Sequence, residues 1–264
     1  MLDPVKNILK RLGLFNRLKY SKLGNLYYTI FNRPQKKQQA QEFNFYRSFL
    51  PGCELIFDIG ANDGHKTIVF KKFAGKVVAC DPDPYNIKIL RLRFGDQTGI
   101  FIEPVAITDH EGECSFYIEQ PGSPLNSINP QWKTILEEHN NNRWAEPIQF
   151  SDTVLKTKTT TLDALIKKYG IPGFIKIDVE GNEKNVLMGL SHSIDHISFE
   201  VLLPEFLNEA ITCMDLLIRL NTNYRFNYAV EEKVMLPSPL GYDSFKNLLC
   251  SLNIPHLEII AIAK

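Results

Sequence analysis

Apolar and polar positions divide the chain into two regimes. Among the first twelve residues Leu2, Val5, Ile8, Leu9 and Leu12 recur at spacings of three and four, with Lys6, Lys10 and Arg11 mostly between them. That is the pattern of an amphipathic helix. An aromatic-rich piece follows over 23–31, and the polar run 33–39 reads as a linker. From residue 54 onward short apolar runs alternate with helical segments, as in a mostly parallel sheet covered by helices. The pattern predicts strands at 55–59, 77–80, 100–105, 174–177, 197–202, 224–230 and 258–263, with a short extra one at 115–118. Helices are predicted at 64–73, 84–94, 162–169, 182–190, 208–220 and 242–252. Asp83 before Pro84 gives one of them its start and Gly95 its stop; Thr161 caps another, which Gly170 and Pro172 end.

The expected architecture is α/β and Rossmann-like, a mostly parallel sheet flanked by helices over 43–264, preceded by an N-terminal helical extension and linker over 1–42. Residues 119–158 are rich in Pro, Asn and Ser and hold both tryptophans, Trp132 and Trp144, without a sustained period. So long an irregular stretch inside a compact domain is expected to be a substrate loop. No internal repeat is visible.

Composition narrows the class. Hydrophobic residues at 44% and charged residues at 23% are ordinary globular values, which exclude wholesale disorder and collagen-like structure. The formal net charge is zero, so there is no general reason to expect nucleic acid as a partner. The first 40 residues, however, carry nine Lys or Arg against one acid, Asp3. The basic helix either packs onto the domain or meets a partner or an anionic membrane surface through residues 1–31. Five cysteines, widely spaced and without C-x-x-C, read as free thiols in a reducing compartment. No apolar run is long enough to span a membrane, so the expected location is cytoplasmic, with peripheral membrane contact left open.

In open α/β sheets the residues just after each strand carry the chemistry. After the first strand comes Asp58-Ile59-Gly60-Ala61-Asn62-Asp63-Gly64, where Gly60 and Gly64 let the backbone turn and approach a ligand. After the second comes Asp81, whose carboxylate can accept from both hydroxyls of a ribose. The glycines are spaced G-x-x-x-G rather than G-x-G-x-x-G, and Asp58 and Asp63 would repel a pyrophosphate. A phosphate-free, cationic nucleoside fits better, and S-adenosylmethionine is the common one.

These blocks, together with Asp81-Pro82-Asp83-Pro84, Pro104-Val105-Ala106-Ile107-Thr108-Asp109, Thr160-Thr161-Leu162-Asp163-Ala164-Leu165 and Ile175-Lys176-Ile177-Asp178-Val179-Glu180-Gly181-Asn182-Glu183, occur in one order over roughly 43–264. In that order they resemble the FkbM family of S-adenosylmethionine-dependent methyltransferases. The resemblance implies a seven-stranded class I methyltransferase sheet and methyl transfer to a hydroxyl of a sugar, glycan or polyketide-like metabolite. It puts Gly60 against the methionine part of the cofactor, Asp58 and Asn62 near its polar groups, Asp81 on the ribose and Ala106 beside the adenine. Relatives often carry Glu where this chain has Asp81.

A hydroxyl loses its proton reluctantly, so a general base is expected near the cofactor. Asp178 and Glu180 follow the fourth strand, Glu200 sits in the fifth, and His110 follows the third-strand motif. Like-charged neighbours raise one another's pKa and would poise one acid as the base. Glu180 and Glu183 would alternatively cap the helix near Asn182. His65 is expected on the first helix near the cofactor, and Lys176 either pairs with Glu200 or braces the sheet edge. Acid clusters also suit magnesium, but no metal is assigned. Trp132, Trp144, Asn126 and Arg143 are expected to cover the acceptor. Two other readings stay open: a methyltransferase-like scaffold without chemistry, and a membrane-associated methyltransferase of a lipid-linked glycan.

Overall fold

The structure, a computed structural model, describes residues 18–19, 33–138 and 147–263. The helix expected at 2–12, the aromatic-rich piece at 23–31, and Arg143 and Trp144 lie outside the described residues. The elements run α1 (Arg33–Arg47), β1 (Cys53–Ile59), α2 (His65–Phe70), β2 (Ala74–Cys80), α3 (Pro84–Phe94), β3 (Ile100–Glu103), β4 (Ala106–Ile107) and β5 (Gly112–Phe116). Then come α4 (Pro130–Glu138), β6 (Leu155–Thr160), α5 (Leu162–Tyr169), β7 (Phe174–Ile177), α6 (Glu183–Met188) and β8 (His196–Leu202). The chain closes with α7 (Leu207–Leu220), β9 (Arg225–Val230), β10 (Lys233–Val234), α8 (Tyr242–Ser251) and β11 (His256–Ile262).

The main sheet has the order β10-β9-β11-β8-β7-β1-β2-β3. Strands β8, β7, β1, β2 and β3 are parallel, and β11 runs antiparallel between β8 and β9. The seven expected strands all lie in this sheet. An eighth, β10, corrects the count: Lys233 and Val234 fold straight back onto β9, and two residues are too few to show a strand period. The chain leaves β1 towards β2 and β3, then returns to β7 on the other side of β1. That reversal opens a crevice at the carboxyl ends of β1 and β7.

Strand β1 shows why the sheet forms. Leu55, Phe57 and Ile59 belong to the core under α5, α6 and α7, while Ile56 belongs to the core shared with Phe45 and Tyr46 of α1 and Phe70 of α2. Successive side chains point to opposite faces, and helices cover both, so Leu55, Ile56 and Phe57 run apolar without alternation, as buried parallel strands do.

Two expectations give way. The polar run 33–39 is not a linker but the first turns of α1, because the helix is anchored further on by Phe45 and Tyr46, with Phe49 just past its end. Part of 119–158 is ordered: α4 holds Trp132, and β6 pairs with β4 and β5 in a small second sheet. β6 escaped notice because its buried positions are Thr157 and Thr159 rather than apolar residues. None of the helices among the described residues is long and apolar enough to cross a membrane.

Candidate active site

Glycine sets the turn that ends β1. Gly60 has φ 83, and a Cβ there would lie 1.8 Å from the carbonyl oxygen of Asp178, so only glycine lets the ends of β1 and β7 come together. Gly60→Ala is therefore expected to lower stability by about 1–3 kcal/mol through overpacking and backbone strain. Thermal unfolding of the variant checks this, and an unchanged Tm would contradict the close approach.

The turn then meets β2. The backbone N–H of Asn62 donates to Asp81 Oδ2 at 2.8 Å, while the N–H of Asp83 at 2.8 Å and Asn86 Nδ2 at 3.2 Å donate to Oδ1. A carboxylate offers about four acceptor positions. Three are taken, leaving one on Oδ2, so Asp81 can accept one ribose hydroxyl in full rather than two. Burial pushes Asp81 up to about 7, outweighing the three donors.

A cavity of about 700 Å³ opens at this switch point, lined by Gly60, Asn62, Asp81 and Ala106 on the β1–β2 side and by Glu42, Lys66, Asp178 and Glu180 on the other. Thus six of the ten predicted site residues share one space, and four do not line it. Asp58 is buried behind the turn, where it accepts from Thr67 Oγ1 at 2.5 Å and fixes α2 to β1. Gly64 turns away from the cavity, since a Cβ there would strike Leu90 and Phe94 of α3. His110 is exposed and pairs with Asp109 at 2.7 Å. Glu200 lies deeper, within the ion network beside the cavity.

The acids flanking the turn do not act as expected. Against the upward push of burial, the His65 ring and Arg93 hold Asp63 at about 2, so its charge is already met. Asp63 also accepts from the N–H of His65 and starts α2. Asp63 lines the cavity with that charge met, and Glu42, Asp178 and Glu180 line it as well.

At the carboxyl end of β7 charges converge. Lys66 Nζ donates to Asp178 Oδ2 at 2.8 Å and to Glu200 Oε1 at 2.9 Å, and Lys176 Nζ donates to Glu200 Oε1 at 2.8 Å. His256 Nε2 lies 2.9 Å from Glu200 Oε2. Burial alone would raise the pKa of Glu200, but Lys176 and Lys66 hold it well below the usual range. That makes Glu200 a poor base. Lys176 is fully buried in a central strand and so pairs with Glu200 rather than bracing an edge.

Glu180 is different. It has φ 57, uncommon for a residue with a side chain. Burial first, then the charges of Asp178, Glu200 and Glu183, push its carboxyl well above the ordinary value. Ser127 Oγ donates to its carbonyl at 2.7 Å and Asn129 Nδ2 to that of Gly181 at 2.5 Å, so the 119–129 segment holds the turn in place. Glu183 caps the same turn, accepting from the N–H of Val179 at 3.2 Å and of Gly181 at 3.4 Å, and burial pushes it up to about 7.

Trp132 is not an acceptor-stacking face. Its ring is buried against Phe206 at 5.7 Å, and its indole N–H donates to the Leu125 carbonyl at 3.0 Å. Asn126 lines the cavity but is spent on structure, its amide nitrogen donating to Asp83 Oδ2 at 2.9 Å and to the Gln120 carbonyl at 2.9 Å. Three residues were missed by reading strand ends: Glu42, Lys66 and His256. A lone acid on the apolar stripe of α1 was the available signal for the first. The other two carry none that spacing reveals.

No curated protein matches the chain. Solved structures with similarity include a TehB-like SAM-dependent methyltransferase from Corynebacterium glutamicum, at 10% identity over 90% of this chain and 99% of that one, TM-score 0.42. A precorrin-6y methyltransferase from Geobacter metallireducens shares 10% identity over 87% of this chain and 86% of that one, TM-score 0.39. The plantazolicin methyltransferase BpumL, solved with a monoazolic desmethylPZN analog and SAH, shares 10% over 99% of each chain, TM-score 0.39. The family model described as the methyltransferase FkbM domain matches residues 58–226. Because that match spans more than half of the sequence and takes in the turn that ends β1 and all of β7 with its turn, the protein belongs to the FkbM methyltransferase family.

Proposed function

We propose that the protein is an S-adenosylmethionine-dependent O-methyltransferase that modifies a hydroxyl of a sugar, glycan or polyketide-like metabolite. One observation carries this reading: a single cavity joins the nucleoside-type end at Asp81 to the acids at Asp178 and Glu180. Its volume of about 700 Å³ falls within the range of cofactor sites. The chain's residues fit the cofactor. Asp81 Oδ2 has one acceptor position free for a ribose hydroxyl, Ala106 would lie against the adenine, and Gly60 leaves the turn open to the methionine part.

When bound, S-adenosylmethionine supplies a methyl group on a cationic sulfur. Transfer to an oxygen cancels charge, so a water-poor pocket with its groups in line favours it. Glu180 takes the hydroxyl proton, because its carboxylate is made basic by burial and by the neighbouring acids. Asp178, held by Lys66, positions the turn on which Glu180 stands. The sugar or polyketide class rests on the family resemblance. Free thiols at all five cysteines support a cytoplasmic setting.

Calorimetry with S-adenosylhomocysteine and labelled methyl transfer across a panel of glycans and hydroxylated metabolites test the proposal. A ribose hydroxyl favours the Asp81 anion, so binding must expel the proton that the carboxyl holds below about pH 7. Affinity is expected to rise with pH to about 7, by at most about tenfold per unit, and then to level off. Affinity independent of pH would remove the ribose from Asp81, and binding without transfer to any acceptor would favour the scaffold reading.

A further inference from the structure

Helix α1 brings to the cavity a residue that the fold does not require. Its inner stripe packs Tyr46 on Phe70 at 4.8 Å and on Phe174 at 5.9 Å, with Phe45 and Phe49 beside it. One turn before Tyr46, on the same stripe, stands Glu42, 1% exposed and lining the cavity. Its Oε1 accepts from Gln38 Nε2 at 3.1 Å and lies 3.9 Å from His65 Nε2. Its Oε2 is buried and has no hydrogen-bond partner among the described residues. Such an atom needs an explanation, since native folds satisfy nearly all of their buried polar groups.

The cavity's layout supplies one. Asp81 fixes the nucleoside end, Gly60 stands at the turn, and Glu42 belongs to the wall with Lys66 and Asp178. His65 approaches the other oxygen, Oε1, and Lys66 Nζ is shared between Asp178 and Glu200. The groups that face Glu42 are Gln38, His65, Lys66 and Glu232. Among the described residues none donates to Oε2, the oxygen left over.

We propose that Glu42 Oε2 receives the α-ammonium group of the cofactor's methionine part, so that α1 reads whether the nucleoside still carries its amino acid. This rests on the assignment of S-adenosylmethionine above. An ammonium offers three donors and full charge, which match a buried carboxylate better than water does. The sulfonium, by contrast, belongs beside the acids that meet the acceptor. Glu42 is thus a specificity residue for the intact cofactor against fragments that lack the amino acid.

Calorimetry with S-adenosylhomocysteine, its des-amino analogue and 5′-methylthioadenosine, on the full chain and on Glu42→Gln, tests this. The wild type is expected to prefer S-adenosylhomocysteine over the des-amino analogue by about 10- to 100-fold, the range of a charge-assisted hydrogen bond. Glu42→Gln is expected to reduce that preference to about threefold or less, with 5′-methylthioadenosine bound equally by both proteins. A folded Glu42→Gln that keeps the wild-type preference overturns the proposal. So does a wild type without any preference, which decides the matter should the variant fail to fold. A wild type that binds neither S-adenosylhomocysteine nor 5′-methylthioadenosine instead brings down the cofactor assignment itself, and this inference with it.

Discussion

Glu180→Gln is expected to lower kcat by about 10²- to 10⁴-fold, the usual worth of a positioned general base, with little change in S-adenosylhomocysteine affinity. The amide keeps the size and the shape of the carboxyl but cannot take a proton. The pH profile separates this role from a structural one. The carboxyl's pKa is raised well above its ordinary value, by burial and then by Asp178, Glu200 and Glu183. A base must be deprotonated to act, so the wild-type kcat at saturating cofactor and acceptor is expected to climb with pH until the raised pKa is passed. The residual activity of Glu180→Gln is expected to be flat over the same range. A variant retaining wild-type kcat would return the proton to another acceptor.

Lys176→Met is expected to cost about 3–5 kcal/mol of stability near neutral pH, as breaking a buried ion pair from one side does. Lys176 is fully buried, donates to Glu200 at 2.8 Å and lies 3.8 Å from Glu258 and 3.7 Å from Asp178. Methionine fills similar space without charge, so the loss reports the stranded carboxylates rather than a cavity. The pH dependence carries a sign. Glu200 has a folded pKa well below its unfolded one, so its stabilising contribution is present above the unfolded value and is lost as pH falls through the folded one. The gap between wild type and Lys176→Met is expected to be widest above about pH 5 and to narrow in acid. Urea unfolding at several pH values reads it, and a gap of constant size would mean that packing, not charge, is what the lysine supplies.

The strands that build the crevice were legible because each buries both faces and so shows as a mostly apolar run, and the turns beside them because Gly60, Asp81 and Asp178 sit at fixed offsets from those runs. Of the two readings given for Lys176, pairing with Glu200 is the one the structure shows, and the choice between them needed the strand order. β6 was invisible because threonines fill its buried positions. His256 was missed for a topological reason. β11 runs antiparallel, so its first residue, registered against Leu202, lies at the end of the sheet where the parallel strands finish. Inspecting the residues after each strand overlooks the one strand whose beginning matters. Glu42 lay across a boundary drawn by polarity, where a helix replaced the expected linker.

The segment between Gly122 and Asn129 is tied down at both ends of the cavity. Asp83 Oδ2 accepts from the N–H of Gly122 at 2.8 Å and from Asn126 Nδ2, next to the Asp81 carboxylate, while Ser127 and Asn129 grip the carbonyls of Glu180 and Gly181. It is a strut between the carboxyl end of β2 and the turn that carries Glu180. A movement of the segment that keeps these bonds carries Glu180 with it, so on the roles proposed above the position of the base and the width of the cavity are set together.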